Sequence, residues 1–169
     1  HKQAIDFVED IAKNNIEITE DVILKIHGLI LKNIDNRNAG NYRFVNVRIS
    51  GSSHLPPNHI KLNTLMSEFV DWYTSNKDTM HPVQLAAELH HKLVYIHPFV
   101  DGNGRTARLL MNLVLLKHGY PLAIISVKNR ADYIKALEKA SIEHDLTDFI
   151  TIVANASEET ADKIIELID

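Results

Sequence analysis

The chain has 169 residues, 45% hydrophobic and 24% charged, a size and balance that suit one compact domain with a substantial core. It contains no cysteine, which excludes disulfides, thiolate metal sites and cysteine nucleophiles; a reducing, cytoplasmic setting is the expectation, provided that no leader or anchor precedes His1. A net charge of −4 argues against nucleic acid or an anionic membrane as partner, and no run approaches the ~18 apolar residues of a membrane span.

Apolar Ile5, Val8, Ile11 and Ala12 recur at helical spacing and predict a short amphipathic helix over 3–14. Thr19 ahead of Glu20 and Asp21 reads as an N-cap with an acidic first turn, opening a helix to about Asn33. His27 within it reads as an ordinary core or surface histidine. The polar string 35–40 is a loop. From Tyr42 the pattern turns extended, with Phe44, Val45, Val47 and Ile49 ahead of a Gly51-Ser52 turn, predicting a short β-hairpin with one open edge. Such an edge can register an extended peptide through main-chain hydrogen bonds, although an ordinary surface hairpin fits the same residues. Pro56-Pro57 breaks the chain before a helix over 58–75, whose core side is read as Ile60, Leu62, Leu65, Met66, Phe69, Val70 and Trp72. His81-Pro82 opens the next helix, with Leu85, Leu89, Leu93 and Ile96 about one turn apart. His90 and His91 beside Glu88 lack the H-E-x-x-H order that sets two imidazoles and a base on one face, so no zinc site is read there.

The chemistry is concentrated in residues 97–108, His-Pro-Phe-Val-Asp-Gly-Asn-Gly-Arg-Thr-Ala-Arg. Pro98 disfavours the helical conformation at His97, so the helix ends there. Gly102 and Gly104 flank Asn103 and let backbone amides turn inward, and a helix starting near Asn103 or Gly104 adds its unpaired first-turn N–H groups to the same spot. The result is a candidate anion nest. A helix terminus contributes only about 0.3–1 kcal/mol toward an anion, about 2 kcal/mol when partly buried, which is too little for a polyphosphate. Arg105 and Arg108, three apart in the first turns, supply the missing charge. Asp101 would repel phosphate unless a divalent cation lay between them, and Mg²⁺ is the ion held by one or two carboxylates plus substrate phosphates. His97 is the one group here able to take a proton near neutral pH. Singly, a histidine before proline is an ordinary cap and D-G-N-G an ordinary turn. Their coincidence within twelve residues, with paired arginines in the next turn, reads as phosphate-group transfer with a histidine base.

Leu109, Leu110, Leu113, Leu115 and Leu116 make the following helix apolar nearly all round, hence central, and Gly119 and Pro121 end it. Phe99 reads as a peg anchoring the loop to the core. After an apolar connector over 122–127, a helix is predicted over 130–141, and Thr147 with Asp148 is read as capping a last one toward Leu167.

The run 97–108 resembles the signature of the Fic family (Fic/Doc superfamily), H-x-F-x-[DE]-G-N-G-R-x-x-R, and every specified position matches. The resemblance extends from about Ala39 through Phe149 and is greatest to the animal and bacterial branch that transfers AMP from ATP to a protein hydroxyl. It implies an all-α, Fic-type helical bundle with a short β-hairpin, the flap, beside the active site, the whole chain 1–169 forming a single catalytic domain. By the resemblance, Val47, Arg48, Ile49, Ser50, Gly51, Ser52 and Ser53 form the flap that aligns the target. His97 is implied as the base and Asp101 as the Mg²⁺ ligand. Gly102, Asn103, Gly104, Arg105 and Arg108 are implied to hold the phosphates, with Arg108 on the γ-phosphate. Tyr133, with Leu137 and Ser141, is implied to border the adenine pocket, although relatives often carry asparagine where Ser141 stands.

ATP is therefore the expected substrate, Mg²⁺ the expected cofactor, and a protein with a Ser, Thr or Tyr hydroxyl the expected partner. Many relatives also carry an inhibitory helix with the pattern [ST]-x-x-x-E-[GN], whose glutamate pairs with the last motif arginine. No such run occurs in these residues, so an inhibitory segment upstream of His1 or on a separate partner is an expectation, and a homo-oligomer is admissible. Transfer of UMP or phosphocholine, AMP removal by a longer parent protein, and a non-catalytic nucleotide-sensing module are the alternatives. Gly104 disfavours the kinase-like branch, which usually has lysine there.

Overall fold

The computed structural model describes residues 2–168. Seven α-helices are formed among them: α1 (Lys2–Lys13), α2 (Glu20–Leu31), α3 (Leu62–Asn76), α4 (Pro82–Ile96), α5 (Asn103–Lys117), α6 (Arg130–Glu143) and α7 (Thr147–Glu166). The expected apolar periodicities decide what each buries. Helix α1 turns Ala4, Val8 and Ile11 inward, and α2 turns in Ile23, Ile26, His27, Ile30 and Leu31 after Thr19 caps it, its hydroxyl accepting from the Val22 N–H at 3.3 Å. Helix α4 starts at Pro82, the first-turn position where a missing N–H costs nothing, and buries Leu85, Leu89 and Leu93 completely.

Helices α4 and α5 form the spine. Only residues 97–102 separate them, and α5 packs against α4, α1 and α2, while the other side of α4 receives α3, α6 and α7. Helix α5 buries Leu110, Met111, Leu113, Val114 and Leu115. Its C-terminal end is closed by Gly119 at φ 74. Because the loop 97–102 joins α4 to α5, its geometry is inherited from the two most closely associated helices of the bundle. No helix of the described residues is long and apolar enough to cross a membrane.

Three local expectations are corrected. The helix expected over 58–75 opens as a 3-10 turn, His59–Lys61, capped by the Asn58 carbonyl oxygen of its side chain. That tighter start leaves Ile60 79% exposed instead of in the core, and Tyr73 joins Leu62, Met66 and Phe69 inside. At α7 the capping side chain is Asp145, which accepts from the Thr147 N–H at 3.0 Å, two positions before the residues read as the cap. The segment expected as a β-hairpin contains no strand among the described residues. It runs out extended and reverses through a turn closed by Ser52 N–H to Ile49 C=O at 3.2 Å, with Gly51 at φ 77. Val45 C=O and Pro57 C=O accept from the Arg43 guanidinium and Ser53 N–H donates to Glu138, and the return arm carries Pro56-Pro57, which have no N–H to offer a ladder.

Candidate active site

His97 is the C-cap of α4 and adopts the left-handed conformation, φ 52 and ψ 58. Its own N–H still closes the helix on Leu93 C=O at 2.9 Å. The ring Nδ1 lies 3.2 Å from Val94 C=O, an acceptor only, so Nδ1 carries the proton and Nε2 keeps its lone pair. Burial pushes the pKa of His97 below the usual histidine value; the bond to Val94 opposes this, and the nearby Arg43 charge reinforces it. The imidazole is therefore neutral at pH 7, with one nitrogen free to accept.

The loop after it is held rigidly. Phe99 is fully buried, and its ring stacks on His27 at 3.6 Å with the planes 6° apart. Asn103 is buried and clamps the same residue twice: its carbonyl oxygen accepts from Phe99 N–H at 3.0 Å, and its amide donates to Phe99 C=O at 2.8 Å. The Asn103 side chain is thus committed to the loop, and what it offers a ligand is its backbone N–H. His27 supplies the other brace. Gly40 N–H donates to its Nδ1 at 3.0 Å, so its Nε2–H donates to Asp101 C=O at 2.9 Å. Gly102 sits at φ 83, and a Cβ there would come within 3.2 Å of the His27 ring. Both the dihedral and the space require glycine.

Gly102 is the N-cap of α5, so the N–H groups of Asn103, Gly104 and Arg105 project from the helix start, while Thr106 N–H is already bonded to Gly102 C=O. The Asp101 carboxylate accepts from Gly102 N–H at 2.6 Å and pairs with Arg105 at 2.7 Å. Arg105 and Arg108 line one cavity of about 380 Å³, together with Ile5, Ile30, Leu109 and Ile124. Arg108 also faces a second cavity of about 170 Å³, lined by Tyr133, Ile125, Val127, Arg130 and Ile134. The Tyr133 hydroxyl lies 3.4 Å from the Arg108 guanidinium and 2.8 Å from His90 Nε2. His90 is fully buried, and desolvation drives its pKa down to about 3, so it stands neutral behind the tyrosine. Ser141 lies away from this cavity and hydrogen-bonds to His91 at 3.1 Å.

Residues 47–53 are fastened to the rest of the site. Ser52 Oγ and Ser53 N–H, the latter at 2.6 Å, both donate to the Glu138 carboxylate on α6, and these two bonds hold that carboxyl below its ordinary pKa. His54 donates to Tyr95 C=O at 2.8 Å and stacks on that ring at 4.1 Å.

A glycine-nested helix start, an imidazole at the loop entrance and a short link between two core helices also match a known pattern: the Fic/DOC family model fits residues 17–115. The chain belongs to the Fic/DOC family. It is 41% identical over 162 residues to the protein adenylyltransferase Fic of Nematostella vectensis, an alignment covering 95% of this chain and 37% of that protein. It is likewise 41% identical over 160 residues to that of Drosophila melanogaster, covering 94% of this chain and 32% of the relative. The solved structure of Fic-1 from C. elegans superposes with a TM-score of 0.86 at 34% identity, over 98% of this chain and 50% of that one. The chain thus spans about a third of the length of the curated relatives it matches.

Four residues that support the Fic motif are not apparent from the sequence. His27, read there as ordinary, braces Asp101 and Phe99; Glu138 holds Ser52 and Ser53; His90 stands behind Tyr133; and Arg43 ties His97 to Val45 and Pro57. A signal existed for two of them. His27 lies on the same face as Ile23, Ile26 and Ile30, where a polar residue needs a partner, and Arg43 is a lone cation in the run Tyr42-Arg43-Phe44-Val45.

Proposed function

We propose that the chain acts as a single Fic catalytic domain that transfers AMP from ATP to a Ser, Thr or Tyr hydroxyl of a target protein. The observation that carries this is the state of His97: Nδ1 is held by Val94 C=O and Nε2 has no partner among the described residues, six residues before the start of α5. A site that only bound nucleotide would need no such base. In the reaction the target hydroxyl oxygen attacks the α-phosphorus in line and its proton passes to His97 Nε2. The bond to the α,β-bridging oxygen breaks, pyrophosphate leaves and AMP stays on the target. The N–H groups of Asn103, Gly104 and Arg105 face the phosphates and stabilise the developing charge. Arg108 grips the outer phosphates, and the cavity beside Tyr133 takes the adenine.

Mg²⁺ fits the donors present. Asp101 is a lone, largely exposed carboxylate, and the described residues contain no group of three or more acidic or histidine side chains that could cage an ion alone. That is the pattern of an ion held jointly with substrate phosphates, whose charge it neutralises when bound. Residues 47–53 would align the target. The apolar cavity that exposes both arginines offers a place where an inhibitory segment or partner could reach Arg108.

Incubation of the protein with cell lysate and either α- or γ-labelled ATP tests the reading. Label on protein from the α-position only is expected. Label from the γ-position would make it a kinase, and no label from either would leave a nucleotide-binding module.

A further inference from the structure

Arg43 is 3% exposed, and among the described residues it forms no ion pair. A buried cation without a counter-ion is costly, and here carbonyl dipoles alone compensate it. The guanidinium donates from Nε to His97 C=O at 2.8 Å, from one terminal nitrogen to Val45 C=O at 2.8 Å, and from the other to Pro57 C=O at 2.6 Å. The Arg43 backbone N–H donates to Pro98 C=O at 2.9 Å. One residue therefore joins three pieces of chain: the two ends of the 45–57 excursion that carries the flap, and the first two residues of the motif loop.

The contact with His97 has a particular meaning because of that residue's backbone. A non-glycine residue in the left-handed region is disfavoured by about 1–2 kcal/mol and needs its surroundings to keep it there. At φ 52 and ψ 58 the His97 carbonyl is turned out of the α4 ladder, and Arg43 Nε–H is the donor that meets it. The same dihedrals set where the imidazole points.

We propose that Arg43 is a positioning residue for group transfer: it holds His97 in its left-handed conformation and fixes residues 47–53 in register with that imidazole, so that base and attacking hydroxyl meet. This rests on the adenylyl-transfer reading above. A purely structural arginine would, when altered, lower stability, nucleotide binding and transfer together. A positioning arginine separates them, because the phosphate-facing amides, Arg108 and Tyr133 belong to α5 and α6, whereas the Arg43 side chain hydrogen-bonds to His97, Val45 and Pro57.

Arg43→Lys keeps the charge but replaces a planar fork with a point-like head that cannot reach three carbonyls at once. Calorimetry with Mg·ATP should give an affinity within about twofold of the unaltered protein, while the initial rate of α-label incorporation into lysate protein falls about a hundredfold, the usual effect of a misplacement near 1 Å. Transfer within about threefold of normal would overturn the proposal, and so would ATP affinity falling in step with transfer. Should the lysine variant not fold, the unaltered protein decides: its Arg43 Nε–H resonance should exchange slowly and show scalar coupling across the hydrogen bond to the His97 carbonyl carbon. A fast-exchanging, uncoupled Nε–H would refute the assignment. If the unaltered protein transfers no AMP, the functional reading fails separately, and the resonance experiment still reports on the Arg43–His97 link.

Discussion

At His97 a single carbonyl settles which nitrogen can act as a base. Val94 C=O fixes the proton on Nδ1, and burial keeps the ring neutral, so the free Nε2 needs no prior deprotonation at pH 7. His97→Ala should therefore lower AMP transfer by about 10²–10⁴ while leaving Mg·ATP affinity nearly unchanged, because the base acts on the hydroxyl and not on the nucleotide. Calorimetry beside a labelling assay checks both halves; undiminished transfer would remove His97 from the mechanism. The pH dependence has a defined sign. In the proposed reaction the active form of His97 is neutral, so the rate is present above the folded-state pKa and lost as pH falls through it. With that pKa below 6.5, the acidic limb of the rate profile should have its midpoint below pH 6.5. Midpoints above that value would mean that another group titrates.

At the scale of elements, the helices and the flap divide according to where their hydrogen bonds come from. Each helix satisfies its own backbone, and its apolar spacing is local, which is why α1, α2, α4, α5 and α6 were legible within a few residues of their ends. The motif was legible for the same reason: His97, Asp101, Gly102 and both arginines are contiguous in sequence, so their shared end of the spine follows from one loop between two helices. The supporting residues were not. Arg43 meets His97 across 54 positions, and His27 meets Asp101 across 74. No local pattern encodes such partners. The expected hairpin is not seen as paired strands: its alternating apolar residues carry strand propensity, whereas the bonds found there run from Ser52 and Ser53 to Glu138 of α6 and from Arg43 to Val45 and Pro57 at its two ends. Glu138→Ala should consequently loosen that segment alone. Amide exchange at Ser53 should accelerate about tenfold or more with the loss of a charge-assisted bond, while α6 keeps its protection. Unchanged exchange at Ser53 would show that the carboxylate does not hold the flap.

For the whole molecule, the buried histidines make stability depend on pH in one direction. His90, with a pKa of about 3, His91, at about 4, and His27, also lowered, all owe this chiefly to desolvation. Each binds its proton more readily in the unfolded chain, so the unfolded state gains protons first as pH falls below 6.5, and folding stability drops. His90 alone should account for about 2 kcal/mol between neutral pH and pH 5. Urea unfolding at pH 7.5 and pH 5 measures this, and His90→Gln should flatten the difference; a midpoint independent of pH would mean that these rings are hydrated. The spine of α4 and α5 gives the other global dependence, since the loop 97–102 joins their ends, with His27 of α2 and Arg43 bracing it from outside.

The Asp101–Arg105 pair carries a consequence for how the site is loaded. Cation and carboxylate cancel each other's field, so a divalent ion arriving alone meets little net attraction at that aspartate. The Asp101 side chain is 62% exposed, and such pairs are worth only about 0.2–1 kcal/mol, so an incoming ion already neutralised by its triphosphate can exchange partners with it at almost no cost. On the proposed adenylyl-transfer reading, metal and nucleotide should then enter as one species, with Arg105 released from the acid to the phosphates in the same event.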